Sequence, residues 1–350
     1  MKYKIVIFIF ILFLAFLVSF LIFKNIESEE KLIKEAEIKE NIKAIYLSSF
    51  YLTSETRFEE IISLMNETEI NAVVIDVKDF SGRIYLNTQN EELNKYGALK
   101  TSIKMDQIIE RLHQNNVYVI ARIAVFEDPI LSLENKDVAL KDKQGNLWRT
   151  YAGALWVDPN SKEVWDYNIL VAKEASKIGF DEINFDYIRF PSDGALSNID
   201  YSSHTKTKRE VMIDFYSYLS KSLKNIIISA DLFGLTTVID DIGVGQNIKD
   251  ASLYFNFICP MVYPSHYSKG FDGFIDPSEY PYEVVFKSLS EGNKKIKNIR
   301  PWLQAFNLLG YEYGREEIQA QIKASKDALL DNYSGYMLWN SQNDYNIEDL

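Results

Sequence analysis

Apolar and polar positions follow two alternating periods along this chain, starting at residue 42. Short runs dominated by Val, Ile, Leu and Phe predict strands that are buried on both faces, and longer segments with apolar positions three and four apart predict amphipathic helices. The predicted strands cover residues 42–50, 70–79, 117–126, 180–190, 226–233, 255–263, 299–306 and 334–340. The predicted helices cover residues 54–67, 102–115, 161–178, 206–223, 246–252, 277–291 and 314–330.

Strands and helices therefore alternate throughout residues 42–350, which predicts an α/β fold: eight parallel strands closed into a (β/α)8 TIM barrel. An open, doubly wound sheet is the alternative. It lacks its usual glycine-rich phosphate loop after the first strand, where the sequence is YLSSFYLTS. No helix is predicted after the last strand, and the charged segment before residue 42 is a candidate to cover that gap.

Long connections follow several of the predicted strands, at residues 80–101, 127–160, 192–205 and 263–277, whereas the helix-to-strand connections are short. In parallel barrels the loops after the strands build the functional face. These extended βα loops therefore predict a groove at the carboxyl ends of the strands.

The segment before the first strand has two parts. Residues 1–24 contain a run of Ile, Leu, Phe and Val long enough to cross a bilayer, which we interpret as an uncleaved transmembrane anchor. Lys2 and Lys4 precede the run and favour a cytoplasmic amino terminus with the remaining chain on the other side of the membrane. Secretion after signal cleavage is the alternative, although no small-x-small cleavage site follows the run. Residues 25–41, rich in Glu and Lys, predict a charged helical stalk.

Composition narrows the class of partner. The formal net charge of −12 argues against nucleic acid or anionic lipid as the partner of residues 42–350, and it fits a neutral or cationic substrate. With 22 Tyr, 21 Phe and 5 Trp, the chain can supply aromatic faces for stacking on sugar rings. The single cysteine, Cys259, excludes an internal disulfide. Neither an HxH nor an HExxH spacing is present, and no metal or organic cofactor is expected.

One buried strand ends in charged residues. In GFDEINFDYIRFP, residues 179–191, Asn184 and Asp186 share a face because alternate side chains of a strand point the same way. A carboxylate at the end of a buried strand costs free energy unless it is paired or used. We therefore predict that Asp186 is catalytic. A structural Asp186 paired with Arg189 is the alternative.

Asp231, at the end of the next predicted strand, is the second predicted catalytic residue. Paired carboxyl groups suit glycosidic bond cleavage, one as nucleophile or base and the other as proton donor. Asp76, Asp79 and Asp128 are further candidates for the second acid, and the alternative for Asp231 is a structural cap.

Polar and aromatic side chains at strand ends are expected to bind the substrate, and these are Asp76, Lys78, Arg122, Asn184, Arg189, Tyr263, His266, Gln304 and Trp339. Charge balance for the acids is the alternative role of Lys78 and Arg122, and Trp156 and Trp302 are weaker candidates for stacking.

Six motifs occur in order along residues 42–343, and they are NAVVIDVKDFSG, VIARIAVFEDP, FDEINFDYIRFP, CPMVYPSHY, RPWLQAF and GYMLWN. In these motifs the chain resembles a bacterial family of glycoside hydrolases. The resemblance implies a single TIM barrel, often behind an amino-terminal membrane anchor, and a carbohydrate substrate.

A more distant likeness concerns the chitinase-type barrels of family 18. The fourth predicted strand is similar to their signature and places Asp186 on its inner Asp, while GYMLWN is similar to their last strand and places Trp339 on its floor tryptophan. The catalytic Glu of that family falls on Ile188, which cannot donate a proton. The substrate-assisted mechanism of the family is therefore not carried over, and the acid must come from another strand.

These observations together predict a membrane-anchored enzyme that hydrolyses O-glycosidic bonds of an extracytoplasmic polysaccharide or glycan. A non-catalytic carbohydrate-binding barrel is the alternative, and Ile188 supports it. A purely structural envelope protein is a third possibility, and it predicts that the acids at the strand ends are sealed under loops.

Overall fold

Eight strands, each parallel to its neighbours and arranged in chain order, form a closed barrel in the computed structural model, which describes residues 41–308 and 310–350. The strands are β1 (Ile42–Leu47), β2 (Ala72–Lys78), β3 (Tyr118–Ala124), β4 (Glu182–Asp186), β5 (Ile227–Phe233), β6 (Phe257–Met261), β7 (Trp302–Gln304) and β8 (Gly335–Trp339). The prediction of a closed parallel barrel is confirmed, and the open sheet is excluded.

Helices connect the strands and cover the outside of the barrel. Within the described residues the α-helices are α1 (Glu55–Glu67), α2 (Met105–Gln114), α3 (Pro129–Glu134), α4 (Lys162–Lys177), α5 (Lys208–Ser222), α6 (Ile248–Ser252), α7 (Pro281–Lys295) and α8 (Arg315–Leu329). Helix α3 was not predicted, and Asp128 caps it by accepting a hydrogen bond from the backbone N of Leu131 at 2.8 Å. As predicted, the described chain has no α-helix after β8.

The predicted anchor, residues 1–24, and all of the predicted stalk except its last residue lie outside the described residues. Among the helices that the structure does describe, none combines the length and the apolar character needed to cross a membrane.

Strand β4 ends four residues earlier than the apolar pattern predicts. Tyr187 follows Asp186 directly and has a φ of 54°, a left-handed conformation that cannot continue a strand. The apolar side chains beyond it, Ile188 and Phe190, are still buried, but in the packing outside the strands. The early end of β4 places Asp186 at the last position of the strand.

A β-bulge changes the direction of side chains at the end of β2. Asp76 lies opposite Arg122 on β3, but Lys78 lies opposite Ile123, so the register shifts by one residue between them. Asp76 therefore points into the barrel, whereas Lys78 points outward between β3 and α4. The alternation of side chains along a regular strand would direct both residues into the barrel, and the bulge prevents this for Lys78.

The hydrophobic core has two layers. The larger layer fills the space between strands and helices, and the smaller one, which includes Val74, Ile120 and Met337, lies inside the barrel. An ion pair is also buried at the amino ends of the strands, where Arg300 Nη1 lies 2.9 Å from Glu182 Oε2 and both side chains are fully buried. The inner core layer and this ion pair fill the barrel interior towards the amino ends of the strands. The interior is therefore open at the carboxyl ends.

Candidate active site

A cavity of about 380 Å³, hereafter the central cavity, opens at the carboxyl ends of the strands. Its volume is within the range of roughly 300–1,000 Å³ that small-molecule sites occupy. The lining residues are Arg122, Asp186, Tyr187, Arg189, Asp231, Phe233, Gly234, Leu235, Met261, Tyr263, His266, Tyr267, Trp302 and Trp339. Of the predicted site residues, the structure brings together Arg122, Asp186, Arg189, Asp231, Tyr263, His266 and Trp339 around this cavity.

Three carboxyl groups surround the guanidinium of Arg122. Its Nη1 donates to Asp76 Oδ1 at 2.6 Å, its Nη2 donates to Asp186 Oδ2, and its Nε lies 3.9 Å from Asp231 Oδ2. All four side chains are buried at the ends of neighbouring strands. The partner of Asp186 is therefore Arg122, and the sequence-based alternative of an Asp186–Arg189 pair is not what forms.

The carboxylate of Asp186 is also held by its own chain. Its Oδ1 accepts a hydrogen bond from the backbone N of Tyr187 at 2.6 Å. The left-handed conformation of Tyr187, with φ 54°, is uncommon for a residue other than glycine and costs free energy. Backbone strain of this kind is concentrated at functional sites, and here it ends β4 and fixes the orientation of Asp186 towards the central cavity.

Asp231 has a different environment, although it lies close by. Its Oδ1 accepts hydrogen bonds from Trp302 Nε1 at 2.7 Å and from Asn184 Nδ2 at 2.8 Å. Burial and then the negative charge of Asp186 raise the pKa of Asp231 well above its usual range, against the opposing effect of Arg122. Because Oδ1 already accepts two hydrogen bonds, a proton on Asp231 belongs on Oδ2, the oxygen nearer to Arg122.

Asp76 and Asn184, two predicted substrate contacts, lie beneath the central cavity and do not line it. Asp76 Oδ2 accepts from the Tyr46 hydroxyl at 2.6 Å, and burial raises the pKa of Asp76. Asn184 is fully buried and donates to both Asp231 and Ser229. Their contacts make them positioning residues, Asp76 for Arg122 and Asn184 for Asp231.

Lys78 does not reach the site, and its prediction as a substrate-binding residue is wrong. The β-bulge turns its side chain outward, where Nζ lies 2.8 Å from Asp128 Oδ2 and donates to the Ala124 carbonyl at 2.7 Å. Lys78 is fully buried there. The same contact removes Asp128 from the candidates for the second acid. Asp79 does not line the central cavity either, and its carboxylate accepts hydrogen bonds within its own loop from Ser81 and Tyr85.

Gln304 is also wrongly predicted to contact the substrate. Its Oε1 accepts hydrogen bonds from the backbone N and the hydroxyl of Ser265 at 3.2 and 2.9 Å, and its Nε2 donates to the Phe306 carbonyl at 2.9 Å. Both ends of the buried amide are thus engaged. Gln304 connects the loop after β6 with the loop after β7 instead of facing a ligand.

Aromatic rings form most of the remaining wall. Trp339 packs against Tyr46 with ring centroids 4.1 Å apart and meets Trp302 edge-on at 5.6 Å, and the Arg122 guanidinium lies 4.9 Å from its centroid. Trp339 keeps part of its surface exposed, unlike Trp156, which is 1% exposed. Trp156 therefore cannot stack on a sugar, and its ring instead supports Arg189 at 4.9 Å.

The sequence interpretation missed Glu127, which follows β3 and pairs with Trp156 through an isolated bridge. Burial raises the pKa of Glu127 to about 7, and the charges of Asp186 and Asp193 act in the same direction while Arg189 opposes them. The motif EDP, residues 127–129, contains two acids, and the sequence interpretation names only Asp128 as a candidate for the second acid.

In the chain as described, no group of three or more His, Cys, Asp or Glu side chains is placed to hold a metal ion.

Comparison with protein families gives one match. A family described as "putative glycosyl hydrolase domain" matches residues 44–345, which is nearly all of the barrel. Comparison with curated proteins gives no match.

Solved structures share the barrel. A hypothetical protein from Ruminiclostridium thermocellum ATCC 27405 is 36% identical, with a TM-score of 0.51, over 53% of this chain and 96% of its own. The glycoside hydrolase domain of PgaB (BpsB) from Bordetella bronchiseptica is 14% identical, with a TM-score of 0.62, over 86% of this chain and 94% of its own. An α-galactosidase from Thermus thermophilus is 11% identical, with a TM-score of 0.53, over 89% of this chain and 60% of its own. At 14% and 11% identity, the last two show a common fold and carry no information on substrate.

Proposed function

Because this chain belongs to the glycosyl hydrolase domain family that matches residues 44–345, we propose that it hydrolyses O-glycosidic bonds with Asp186 and Asp231 as its catalytic residues. The observation that carries the proposal is the pairing of these two acids. They come from neighbouring strands, both line the central cavity, and both approach the guanidinium of Arg122.

The two environments assign the two roles. Asp231, whose pKa is raised by burial and by Asp186, donates its proton to the leaving glycosidic oxygen. Asp186 faces the anomeric carbon as nucleophile or as the carboxylate that stabilises positive charge on the sugar ring. Water then supplies the hydroxyl that ends on the anomeric carbon, and its proton returns to Asp231.

The aromatic and polar walls position the sugar. Trp339 supplies a partly exposed ring, Tyr263 and His266 pack edge to face with ring centroids 5.3 Å apart, and Arg189 also lines the cavity. Desolvation lowers the pKa of His266, so that its imidazole is neutral at physiological pH and offers one donor and one acceptor to sugar hydroxyls. Ile188 is fully buried outside the strands, so no acid occupies the position of the chitinase-type Glu.

The proposal includes an extracytoplasmic location. The apolar run in residues 1–24, preceded by Lys2 and Lys4, supports a single anchor with the barrel on the outer side of the membrane. A polysaccharide or glycan of the cell envelope is then the substrate class, and the net charge of −12 favours one without negative charge.

Substitution of the two acids tests the enzymatic proposal. Asp186→Asn and Asp231→Asn are each expected to lower kcat by roughly 10²–10⁴-fold. Asp231→Asn removes the proton donor, and Asp186→Asn removes the nucleophile or the carboxylate that stabilises the positive charge developing on the sugar ring. The measurement is release of reducing ends from a panel of purified neutral polysaccharides and envelope glycans. Asp137→Asn, an exposed acid in the loop after β3, is the matched control and keeps native activity.

A different result would favour the non-catalytic alternative. If the native protein releases no reducing ends from any polymer, while Asp186→Asn and Asp231→Asn retain native affinity for a glycan, the barrel binds carbohydrate without cleaving it.

A further inference from the structure

A second cavity of about 890 Å³, hereafter the side cavity, adjoins the central cavity. It is formed mainly by the loops after β7 and β8. Two residues, His266 and Trp339, line both cavities and so form a shared wall. The two cavities therefore lie side by side along these two rings.

The side cavity is rich in uncharged hydrogen-bonding groups. Its lining includes the side chains Asn307, Asn340, Ser341, Gln342 and Asn346. Ser341 and Gln342 are exposed, and in the described part of the chain their side chains make no hydrogen bond. Amide and hydroxyl groups that remain available in a concave surface suit a ligand with many hydroxyls.

The charged groups of the side cavity are acidic. Asp344 and Asp349 line it, whereas none of the lining residues is Lys or Arg. A carboxylate or sulfate on the ligand would meet negative charge without a cationic partner, and like charges at close range repel each other. The lining therefore disfavours uronic acids and sulfated sugars.

Two rings supply an apolar surface beside these polar groups. Phe306 lines the side cavity and packs against Tyr263 and His266, with ring centroids 5.5 and 5.7 Å apart. Trp339 is fixed from below by Tyr46 and Trp302. Rigid aromatic faces next to polar side chains match the amphipathic surface of a sugar ring, with its C–H groups and its hydroxyls.

We propose that the side cavity binds a second sugar residue of the substrate, one without negative charge, adjacent to the residue held in the central cavity. This inference rests on the proposed function, because the acids Asp186 and Asp231 line only the central cavity. The preferred substrate is then an oligosaccharide or polysaccharide that spans both cavities, and a single sugar with a small leaving group uses only half of the site.

The test fills the side cavity and measures how affinity depends on chain length. In an Asp186→Asn background, Gln342→Trp blocks the side cavity, and Gln114→Trp places the same change at the opposite end of the barrel, where Gln114 is exposed. The probes are β-1,4-linked glucose and β-1,4-linked N-acetylglucosamine of one to four units, the oligomers of any neutral polymer that the native protein cleaves, and α-1,4-linked galacturonic acid. Affinity is measured by titration calorimetry.

A neutral series is expected to bind about tenfold more tightly at two or more units than at one, a gain of about 1.4 kcal/mol. Gln342→Trp abolishes that gain, Gln114→Trp keeps it, and the galacturonic acid series shows none. The inference is overturned if Gln342→Trp keeps the full gain, if no series gains with length, or if galacturonic acid gains as much as a neutral sugar.

The two proposals fail in different ways. Length-dependent binding that Gln342→Trp removes, in a protein that cleaves nothing, would overturn the enzymatic function and leave the second sugar position intact. If the native protein cleaves a polymer but affinity does not depend on the number of sugar units, the second sugar position is overturned and the enzymatic function remains. Failure of every probe to bind any variant, together with no cleavage, would overturn both.

Discussion

At the scale of single residues, Arg122 determines the charge state of the site. One buried guanidinium faces the three carboxyl groups of Asp76, Asp186 and Asp231. A single positive charge cannot compensate three buried negative charges, so at least one acid keeps its proton at neutral pH. Burial raises the pKa of both Asp76 and Asp231, and the negative charge of Asp186 raises the pKa of Asp231 further. Asp231 can therefore supply the protonated acid that glycosidic bond cleavage needs.

Arg122→Met should destabilise the protein by about 3–5 kcal/mol at neutral pH, because it leaves buried acids without their cation. The loss should be smaller at about pH 5, where protons neutralise more of these acids in the folded state. Chemical denaturation at the two pH values measures the difference, with the exposed Arg57→Met as control. An equal loss at both values would show that packing, and not charge, is what Arg122 contributes.

Glu127 gives a separate dependence of stability on pH. Its pKa rises from 4.5 to about 7 on folding, so between these values the folded state binds more protons than the unfolded state. Its contribution to stability is therefore full below about pH 4.5 and is lost as the pH rises through about 7.

Glu127→Gln removes this titration and should flatten the fall in unfolding free energy between about pH 5 and pH 8. The check is a series of denaturant unfolding curves for the variant and for Glu134→Gln, an exposed glutamate of α3. If the native protein and Glu127→Gln show the same slope, Glu127 does not titrate in this range.

At the scale of elements, the bulge in β2 shows how one extra residue changes the direction of a side chain and therefore its partners. It directs Lys78 away from the barrel interior to Asp128, and Asp128 also caps α3. The pair thus connects the end of β2 with the start of the loop after β3. Because both side chains are buried, loss of one partner leaves an uncompensated charge.

Lys78→Met should cost about 3–5 kcal/mol of unfolding free energy, and the double variant Lys78→Met/Asp128→Asn should recover much of that loss because Asn is neutral and can still cap α3. The double-mutant cycle in urea isolates the interaction between the two residues. Equal stability of the single and double variants would mean that the charge of Asp128 is compensated elsewhere.

Barrel closure depends on a glycine at the start of β8. Gly335 has a φ of 98° and pairs with Ile42 on β1, and a Cβ at this position would lie 1.7 Å from the Ile42 carbonyl oxygen. No rotamer change relieves this clash, because the position of Cβ is fixed by the backbone of residue 335 and the oxygen belongs to the backbone of Ile42. The first and the last strand can therefore meet only because residue 335 has no side chain.

Gly335→Ala should destabilise the barrel by at least about 2 kcal/mol, since it combines a strained φ with a backbone clash. Gly97→Ala is the matched control, because Gly97 has a φ of 66° with open space around it, and it should cost about 1 kcal/mol. Thermal unfolding followed by circular dichroism compares them. Similar midpoints for both variants would refute the role of close approach at Gly335.

At the scale of the whole molecule, Ile42–Leu350 forms a compact unit that contains all eight strands and both cavities. Every residue that lines the central cavity or the side cavity belongs to this unit. A chain limited to residues 42–350 should therefore unfold in one cooperative transition and keep the glycan binding of the full chain.

Comparison with the full chain in cells also tests the proposed anchor. The full chain should sediment with membranes at its full mass, whereas residues 42–350 should not sediment. A shortened full chain in the medium would favour signal cleavage, and a full chain in the soluble cell fraction would oppose both locations.

The sequence by itself determined the order and number of the strands, the closed barrel, most helix bounds and the strand-end positions of Asp186 and Asp231. These features follow from local periodicity, because the spacing of apolar residues along the sequence differs between strands and helices. The bulge after Asp76, the left-handed Tyr187 and the burial of Trp156 and Gln304 were decided by tertiary structure. Each depends on register and on partners far away in the chain, as does the Glu182–Arg300 pair across 118 residues. Closure of eight strands fixes all these registers at once, and a local pattern cannot encode that constraint.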